Sequence, residues 1–350
     1  MILQLSGEMP DQAELVTYDP MWLNLLVCPP LLVASILATA ALWMDGPKAR
    51  WAAGALTASF GAGMIALLFV WPAAGWGGAA VLICCSIVLL WWLSLAPSIH
   101  REWEAPLSRT PVVERNGDSV KIHNVRNFRY RSVEDFDEEW ESRDYDLSKV
   151  RGMDLFISYW GPKFMAHTIA SWEFEDGQFL AISIEVRKVR GESFSALKGF
   201  FRTFEIHYVV SDERDLIGLR AKHRREDVYL YRLTIQPATA LAILDEYLKE
   251  MEELVCHPRW YNALTRNCTT ATRRHIKHVS PDSPWDYRIL MNGRLDQLLY
   301  ERGHVSQDLA FDDLRSRSAI SEVVRATEED ESFSKTIRAA LPAPRTSATL

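Results

Sequence analysis

Cys268 lies in the run Asn267-Cys268-Thr269-Thr270, at the start of a stretch, Cys268–Val279, that reads as a helix. A thiol at a helix start meets unpaired N–H groups and a partial positive charge, and ionises more readily there. The thiolate is the nucleophilic form of cysteine. The same N–H groups can hold the oxyanion of an acyl transfer, with Asn267 and Thr269 the nearest polar neighbours. Trp260 and Tyr261, together with Phe200 and Phe201, are candidates to line an acyl groove, although plain core packing explains any one of them as well. A thiolate needs a base. Of nine histidines, His167 opens a strand-like segment and is followed by Thr168, whose hydroxyl can orient or shield it. Glu185, one strand later, is placed to fix the imidazole tautomer, with Glu173 as the alternative.

Each reading has a plainer rival. A His and a Cys 101 residues apart are a weak signal by spacing alone. Cys256 and Cys268 can instead form a structural disulfide in an exported domain. His275 and His278, three apart on a helix, can share a metal, but no third ligand accompanies them and no resident metal or cofactor is expected. There is no Walker loop, no Gly-x-Ser-x-Gly elbow and no His-Glu-x-x-His.

The elements that must position these groups divide sharply along the chain. Of 350 residues, the first 96 carry only seven charges, and residues 97–350 hold 37 basic and 41 acidic side chains. With 48% hydrophobic residues and five cysteines, disorder and a disulfide-dense miniprotein are excluded. The net charge of −7 argues against nucleic-acid binding. Met21–Met44, Trp51–Trp71 and Gly77–Leu95 contain no Asp, Glu, Lys, Arg or His, and each is about long enough to span a bilayer. Tryptophans cluster near the ends of these runs, as interfacial anchors do. Pro29-Pro30 leaves a kinked or re-entrant first helix open. No basic segment precedes the first run, which argues against a cleaved signal peptide.

The expected organisation is a tail over 1–20, a three-helix membrane anchor over 21–96, a connector over 97–118, a soluble domain over 119–341 and a loose tail over 342–350. In the soluble part, Asp154–Trp160, His167–Phe174, Phe179–Val186, Phe204–Val209, Leu216–Arg220 and Val228–Thr234 read as strands. Ser193–Phe201, Pro237–Val255, Cys268–Val279, Tyr287–Glu301 and the stretch after Ser306 read as helices. Strands followed by helices imply an α+β domain with an antiparallel sheet. A basic patch at Lys121–Arg131 precedes an acidic one at Glu134–Glu141. Both suit solvated faces, and lipid-headgroup contact by Arg126, Arg129 and Arg131 is the functional alternative.

Several segments together carry a resemblance. They are Ile122–Phe128, Tyr130–Ser132, His167-Thr168, Ser171–Phe174, Ser183–Lys188, Gly191–Ser193, Asp212–Arg220, Asp227–Tyr231 and, above all, Trp260–Thr270. Over roughly residues 110–340 the chain closely resembles the Lnb-type periplasmic domain family. That resemblance implies a permuted papain-like thiol enzyme of the bacterial envelope, with the histidine before the cysteine in chain order. It also implies lipoprotein N-acyltransferase activity, with acyl chains drawn from membrane phospholipid or from the lipoprotein's own lipid. The acceptor implied is the lipoprotein N-terminus. Carried onto this chain, the family's histidine is His167 and its cysteine Cys268. The alternatives on the same residues are an envelope peptidase or amidase, and a non-catalytic membrane-anchored binding module. The resemblance places the domain in the periplasm of an inner-membrane, multi-pass protein. The four basic residues Lys48, Arg50, Arg101 and Arg109 point the other way by the positive-inside rule.

Overall fold

The computed structural model describes residues 20–74, 76–98 and 100–342. The expected tails, 1–20 and 342–350, fall almost wholly outside the described residues. The chain forms two compact units, one ending at Leu95 and one beginning at Ala96.

The first unit is three helices, α1 (Pro20–Asp45), α2 (Arg50–Ala74) and α3 (Gly77–Ser94). Each contains a window of 18 to 20 residues apolar enough to cross a membrane. Helix α1 continues through Pro29 and Pro30. Leu31, Met64 and Val81 meet at the bundle centre, and the Trp92 indole N–H donates to Asp45 at 2.7 Å.

The second unit is built on strands β1 (Val112–Asn116), β2 (Ser119–Arg126), β3 (Arg129–Tyr130), β4 (Phe136–Asp137), β5 (Trp140–Asp146), β6 (Val150–Tyr159), β7 (His167–Phe174), β8 (Phe179–Arg187), β9 (Glu205–Ser211) and β10 (Asp227–Arg232). The main sheet runs β1-β2-β9-β8-β7-β6-β10, with β5 also on β2, and β3 pairs β4 apart from it. Pairing is antiparallel except where β2 meets β9 at Arg126 and Ser211. The sheet is therefore mixed rather than purely antiparallel. Strand β1 and the turn Ala105–Leu107 occupy the segment expected to be a bare connector.

Helices follow as α4 (Glu213–Gly218, continued by a wider turn to His223), α5 (Pro237–Cys256), α6 (Cys268–Val279), α7 (Leu295–Glu301), α8 (Phe311–Ser318), α9 (Ser321–Ala326) and α10 (Phe333–Thr336). Strand side chains alternate between faces. Ala170, Trp172, Ile182, Ile184 and Tyr208 pack on α5 and α6 through Leu244, Tyr247, Leu248 and Ala271. Ile169, Ala181 and Val209 on the opposite face pack on Leu216, Ile217, Val324 and Phe333.

Four further expectations change. Leu216–Arg220 is helical, because Asp212 caps α4 by accepting the Arg214 N–H at 2.9 Å, and Leu216 and Ile217 then face the sheet. Ser193–Phe201 contains only a three-residue turn, Lys198–Phe200, and Tyr287–Glu301 breaks into two such turns before α7. Arg126 is not available to headgroups. It is buried in a forked ion pair with Asp215, while Arg131 pairs with Asp135 and Asp137 and Arg129 with Glu139. Arg129 and Arg131 thus find their partners in the acidic patch, while Arg126 finds its own outside it.

Candidate active site

The helix carrying the cysteine starts at Asn267. Its side-chain oxygen accepts the N–H groups of Thr269 at 3.0 Å and Thr270 at 2.9 Å, and the Thr270 hydroxyl accepts the Asn267 N–H at 2.8 Å. This reciprocal cap fixes Cys268 as the first helical residue. Asn267 also donates to the Ala263 carbonyl at 2.6 Å. The Asn267 amide and the Thr269 backbone N–H, expected as oxyanion donors, are therefore already engaged. The Thr269 hydroxyl, 3.7 Å from the sulfur, accepts from Asn292 and keeps its own proton to donate, and the N–H of Cys268 lies at the first turn of the helix.

Strand β7 brings the base. The His167 imidazole and the Thr168 backbone N–H lie close enough to the Cys268 sulfur to favour its ionised form. The Thr168 hydroxyl, expected to orient the ring, is buried without a hydrogen bond. His167 Nε2 lies 2.7 Å from Ser183 Oγ and 3.3 Å from Glu185 Oε1, which leaves Nδ1 for the cysteine. Ser183 donates to Glu185 at 2.7 Å, and the buried Arg220 donates to the same carboxylate oxygen at 2.6 Å. Glu185 thus stands behind His167 and is itself anchored from two sides.

The electrostatics follow from these contacts. Burial opposes charge on His167, but the charge of Glu185 and the contacts with Cys268 and Glu185 together outweigh it, and the imidazole pKa rises to about 9. Burial pushes the Cys268 thiol up, while hydrogen bonding and charge from His167 pull it down to about 7. Glu185, despite burial, is held well below the usual carboxylate range by His167 and Arg220. The shifts of His167 and Cys268 both favour the thiolate and imidazolium forms of the pair.

Neighbouring loops hold this arrangement. Asn292 donates to the Thr269 hydroxyl at 2.6 Å and to the Ala166 carbonyl at 2.7 Å, and accepts the Ala166 N–H at 2.7 Å. It ties the loop before His167 to the helix of Cys268. The Thr269 oxygen in turn lies 3.7 Å from the sulfur. Gly293 permits this clamp, since a Cβ there would overlap the Lys163 carbonyl.

Tyr261 lies close enough to Cys268 and Glu185 to feel their charge. With burial the larger influence, its phenol is raised above its ordinary value and stays a hydrogen-bond donor. Trp260 is half-buried, bridged by its backbone to Glu205. Phe200 is exposed and Phe201 half-buried.

The rival residues lie elsewhere. Glu173 pairs with Arg232 and Arg151 further along β7. Cys256 and Cys268 are both free thiols. His275 bonds the Tyr208 hydroxyl and His278 pairs with Glu246, and no cluster of metal-binding side chains occurs among the described residues.

Sequence reasoning missed Ser183, Arg220 and Asn292 as site residues. Ser183 was findable, standing two residues before Glu185 on the same strand face. Arg220 was hidden by reading α4 as a strand. Asn292 sits in an irregular loop and carries no local signal.

Residues 136–293 match the family model of the Lnb N-terminal periplasmic domain. The matched span contains His167, Glu185 and Cys268. No curated protein and no solved structure matches the chain. The match favours a periplasmic soluble unit over the orientation of the four-residue charge pattern, and long domains cross membranes largely regardless of such charges. The chain is a membrane protein whose soluble unit matches the Lnb N-terminal periplasmic domain over residues 136–293.

Proposed function

We propose that this protein is a thiol acyltransferase of the bacterial inner membrane. It moves a fatty acyl group through a Cys268 thioester onto the N-terminal amine of a lipoprotein. The observation that carries this reading is Cys268 at a helix start beside His167, with Glu185 anchored behind the imidazole.

The Cys268 thiolate attacks the carbonyl carbon of a lipid acyl ester. The Cys268 N–H and the Thr269 and Tyr261 hydroxyls are the donors available for the oxyanion. As the ester C–O bond breaks, the leaving alkoxide takes the Nδ1 proton of His167. The neutral amine of the acceptor then attacks the thioester, and Nδ1 accepts its proton. Breaking the C–S bond returns the thiolate beside an imidazolium, so the cycle closes in protons. Glu185 stabilises that imidazolium throughout and holds Nε2 away from the reacting atoms. A membrane anchor suits a donor confined to the bilayer.

The test is the covalent species on Cys268. Purified full-length protein incubated with mixed envelope lipids and peptidoglycan peptides should carry a fatty acyl adduct on Cys268 by mass spectrometry. Cys268→Ala should lose adduct and transfer, on the order of 10⁴-fold or more, while remaining folded. A peptidyl adduct, or full transfer by the alanine variant, would remove the acyl-transfer reading, the former in favour of a peptidase or amidase.

A further inference from the structure

Beside the cysteine–histidine pair is a second feature that this chemistry does not use. A pocket of about 470 Å³ opens at the β6–β10 edge of the sheet, walled by Tyr159–Lys163 on one side and Arg224–Asp227 on the other. Four cations line it: Lys163, Arg224, Arg225 and Arg315. Arg315 has a partner in Asp296 at 3.3 Å, and Arg224 in Glu226 at 3.8 Å. Lys163 and Arg225 have no ion-pair partner among the described residues. Two carboxylates face the four cations. Glu226 is engaged by the Ser158 hydroxyl at 2.5 Å and by Arg220 at 3.9 Å, and Asp227 is at the exposed margin. The pocket keeps an excess of positive charge. Arg225 is set there by a left-handed backbone, φ 58°, uncommon for a residue with a side chain.

The pocket connects to the reacting groups through shared neighbours. Ser158, which bonds its buried Glu226, lies directly opposite His167 in the β6–β7 register. Arg220 reaches both Glu226 and Glu185. The Tyr159–Lys163 wall runs straight into the loop that Asn292 clamps beside Cys268. Its margin is apolar and exposed. Trp160 stands edge-on to Phe194 at 6.0 Å, and both are exposed, as is Phe164 beside Lys163. Unpaired cations in a cavity recognise a phosphate, and exposed aromatic side chains at its mouth suit hydrocarbon.

We propose that this pocket binds the phosphate of a glycerophospholipid, with the acyl chains leaving across the Trp160, Phe164 and Phe194 margin towards Cys268. The inference rests on the acyl-transfer reading and narrows its donor to a phospholipid rather than the lipoprotein's own lipid.

Binding can be measured without turnover, so failure of one idea is separable from failure of the other. Full-length protein carrying Cys268→Ala, in non-ionic detergent, is titrated by calorimetry with three soluble probes: dihexanoyl phosphatidylglycerol, dihexanoylglycerol and sn-glycerol 3-phosphate. The phosphatidylglycerol should bind at least tenfold more tightly than either of the others, and less tightly as salt is added. Lys163→Glu with Arg225→Glu should weaken it at least tenfold and leave the weak binding of dihexanoylglycerol unchanged. The milder Lys163→Gln with Arg225→Gln should fall between, which separates charge from misfolding. Unchanged affinity in the charge-reversed protein, or equal binding of dihexanoylglycerol, overturns the phosphate site. Equal binding of glycerol 3-phosphate overturns the lipid assignment in favour of a small free phosphate. Absence of acyl transfer in the unmodified protein, with these affinities intact, would sink the transferase and keep the site.

Discussion

His167 and His275 are both withdrawn from solvent in the same domain, yet one is cationic and the other neutral. His275, seven residues beyond Cys268 on α6, bonds the Tyr208 hydroxyl at 2.7 Å and has its ring 4.4 Å from that of Tyr247. Burial, reinforced by Arg274, takes its pKa down to about 4, so it is neutral. His167 suffers the same burial, yet Glu185, with the Cys268 contact, lifts it to about 9. Burial alone therefore makes a neutral structural histidine. The difference is a carboxylate that cannot turn away, because Ser183 and Arg220 hold it. The sharpest way to break the comparison is to remove each ring. His167→Asn should slow acylation of Cys268 by at least about 10³-fold. It should also leave burial unopposed on the thiol, so that alkylation of Cys268 by iodoacetamide titrates well above 7. His275→Gln should change neither measurement. Equal effects from the two substitutions would mean that His167 holds no special relation to the sulfur.

The carboxylate is the next point of attack. The acylating form has a thiolate and an imidazolium, so its rate should rise as pH passes about 7 and fall as pH passes about 9. Glu185→Gln removes the largest influence raising His167. Burial and Arg220 then both act downwards on the imidazole, and with less imidazolium beside it the thiol moves up. The two limbs should approach and cross, and the maximal rate should drop by roughly 10- to 100-fold. The check is the pH profile of adduct formation in the variant. Limbs that stay near 7 and 9 would show that Glu185 only braces the strand.

How much of this was legible in the sequence differs between the two ends of the site. His167–Phe174 and Cys268–Val279 have their observed boundaries, because local signals define both: alternation beside turn residues in one, a polar cap ahead of helical spacing in the other. The groups that set the charge were legible only in part. Glu185 stands out as a carboxylate one strand away. Arg220 reaches it from a helix whose apolar run, Leu216-Ile217-Gly218-Leu219, imitates a strand until the Asp212 cap is noticed. Asn292 joins segments 126 residues apart in a loop without periodicity, and only tertiary structure reveals it. The mixed sheet was hidden for a similar reason. The single parallel contact, Arg126 with Ser211, spans 85 residues and leaves no pattern in either strand.

A smaller effect tests the other member of the comparison. His275 has a folded pKa near 4, below the ordinary value of about 6.5, so the native protein binds fewer protons there than the unfolded chain. Stability from this site is complete above about 6.5 and is lost as pH falls towards 4. By pH 5 the loss should be about 2 kcal/mol. In the full-length protein, the denaturant midpoint of the soluble unit should fall between pH 6.5 and 4. The His275→Gln variant should show a shallower fall, although it starts less stable at neutral pH. An identical slope in both proteins would place the acid sensitivity elsewhere.

The mildest expected effect concerns Asn267, where composition and geometry suggest different jobs. As an oxyanion donor, its loss would cost on the order of 10²- to 10³-fold in rate. In the structure both ends of its amide are occupied, by the Thr269 and Thr270 N–H groups and by the Ala263 carbonyl. Asn267→Ala should therefore cost about 1 kcal/mol of stability, the usual penalty for a lost helix cap, and reduce acylation less than tenfold. Asn267→Ser, which restores an acceptor for the helix N–H groups but not the amide donor, should recover most of the stability. It should recover the rate in parallel if capping is the whole role. A variant that regains stability while remaining a hundredfold slow would return the amide to the reaction, and the Cys268 N–H and the Thr269 and Tyr261 hydroxyls would no longer account for the oxyanion alone.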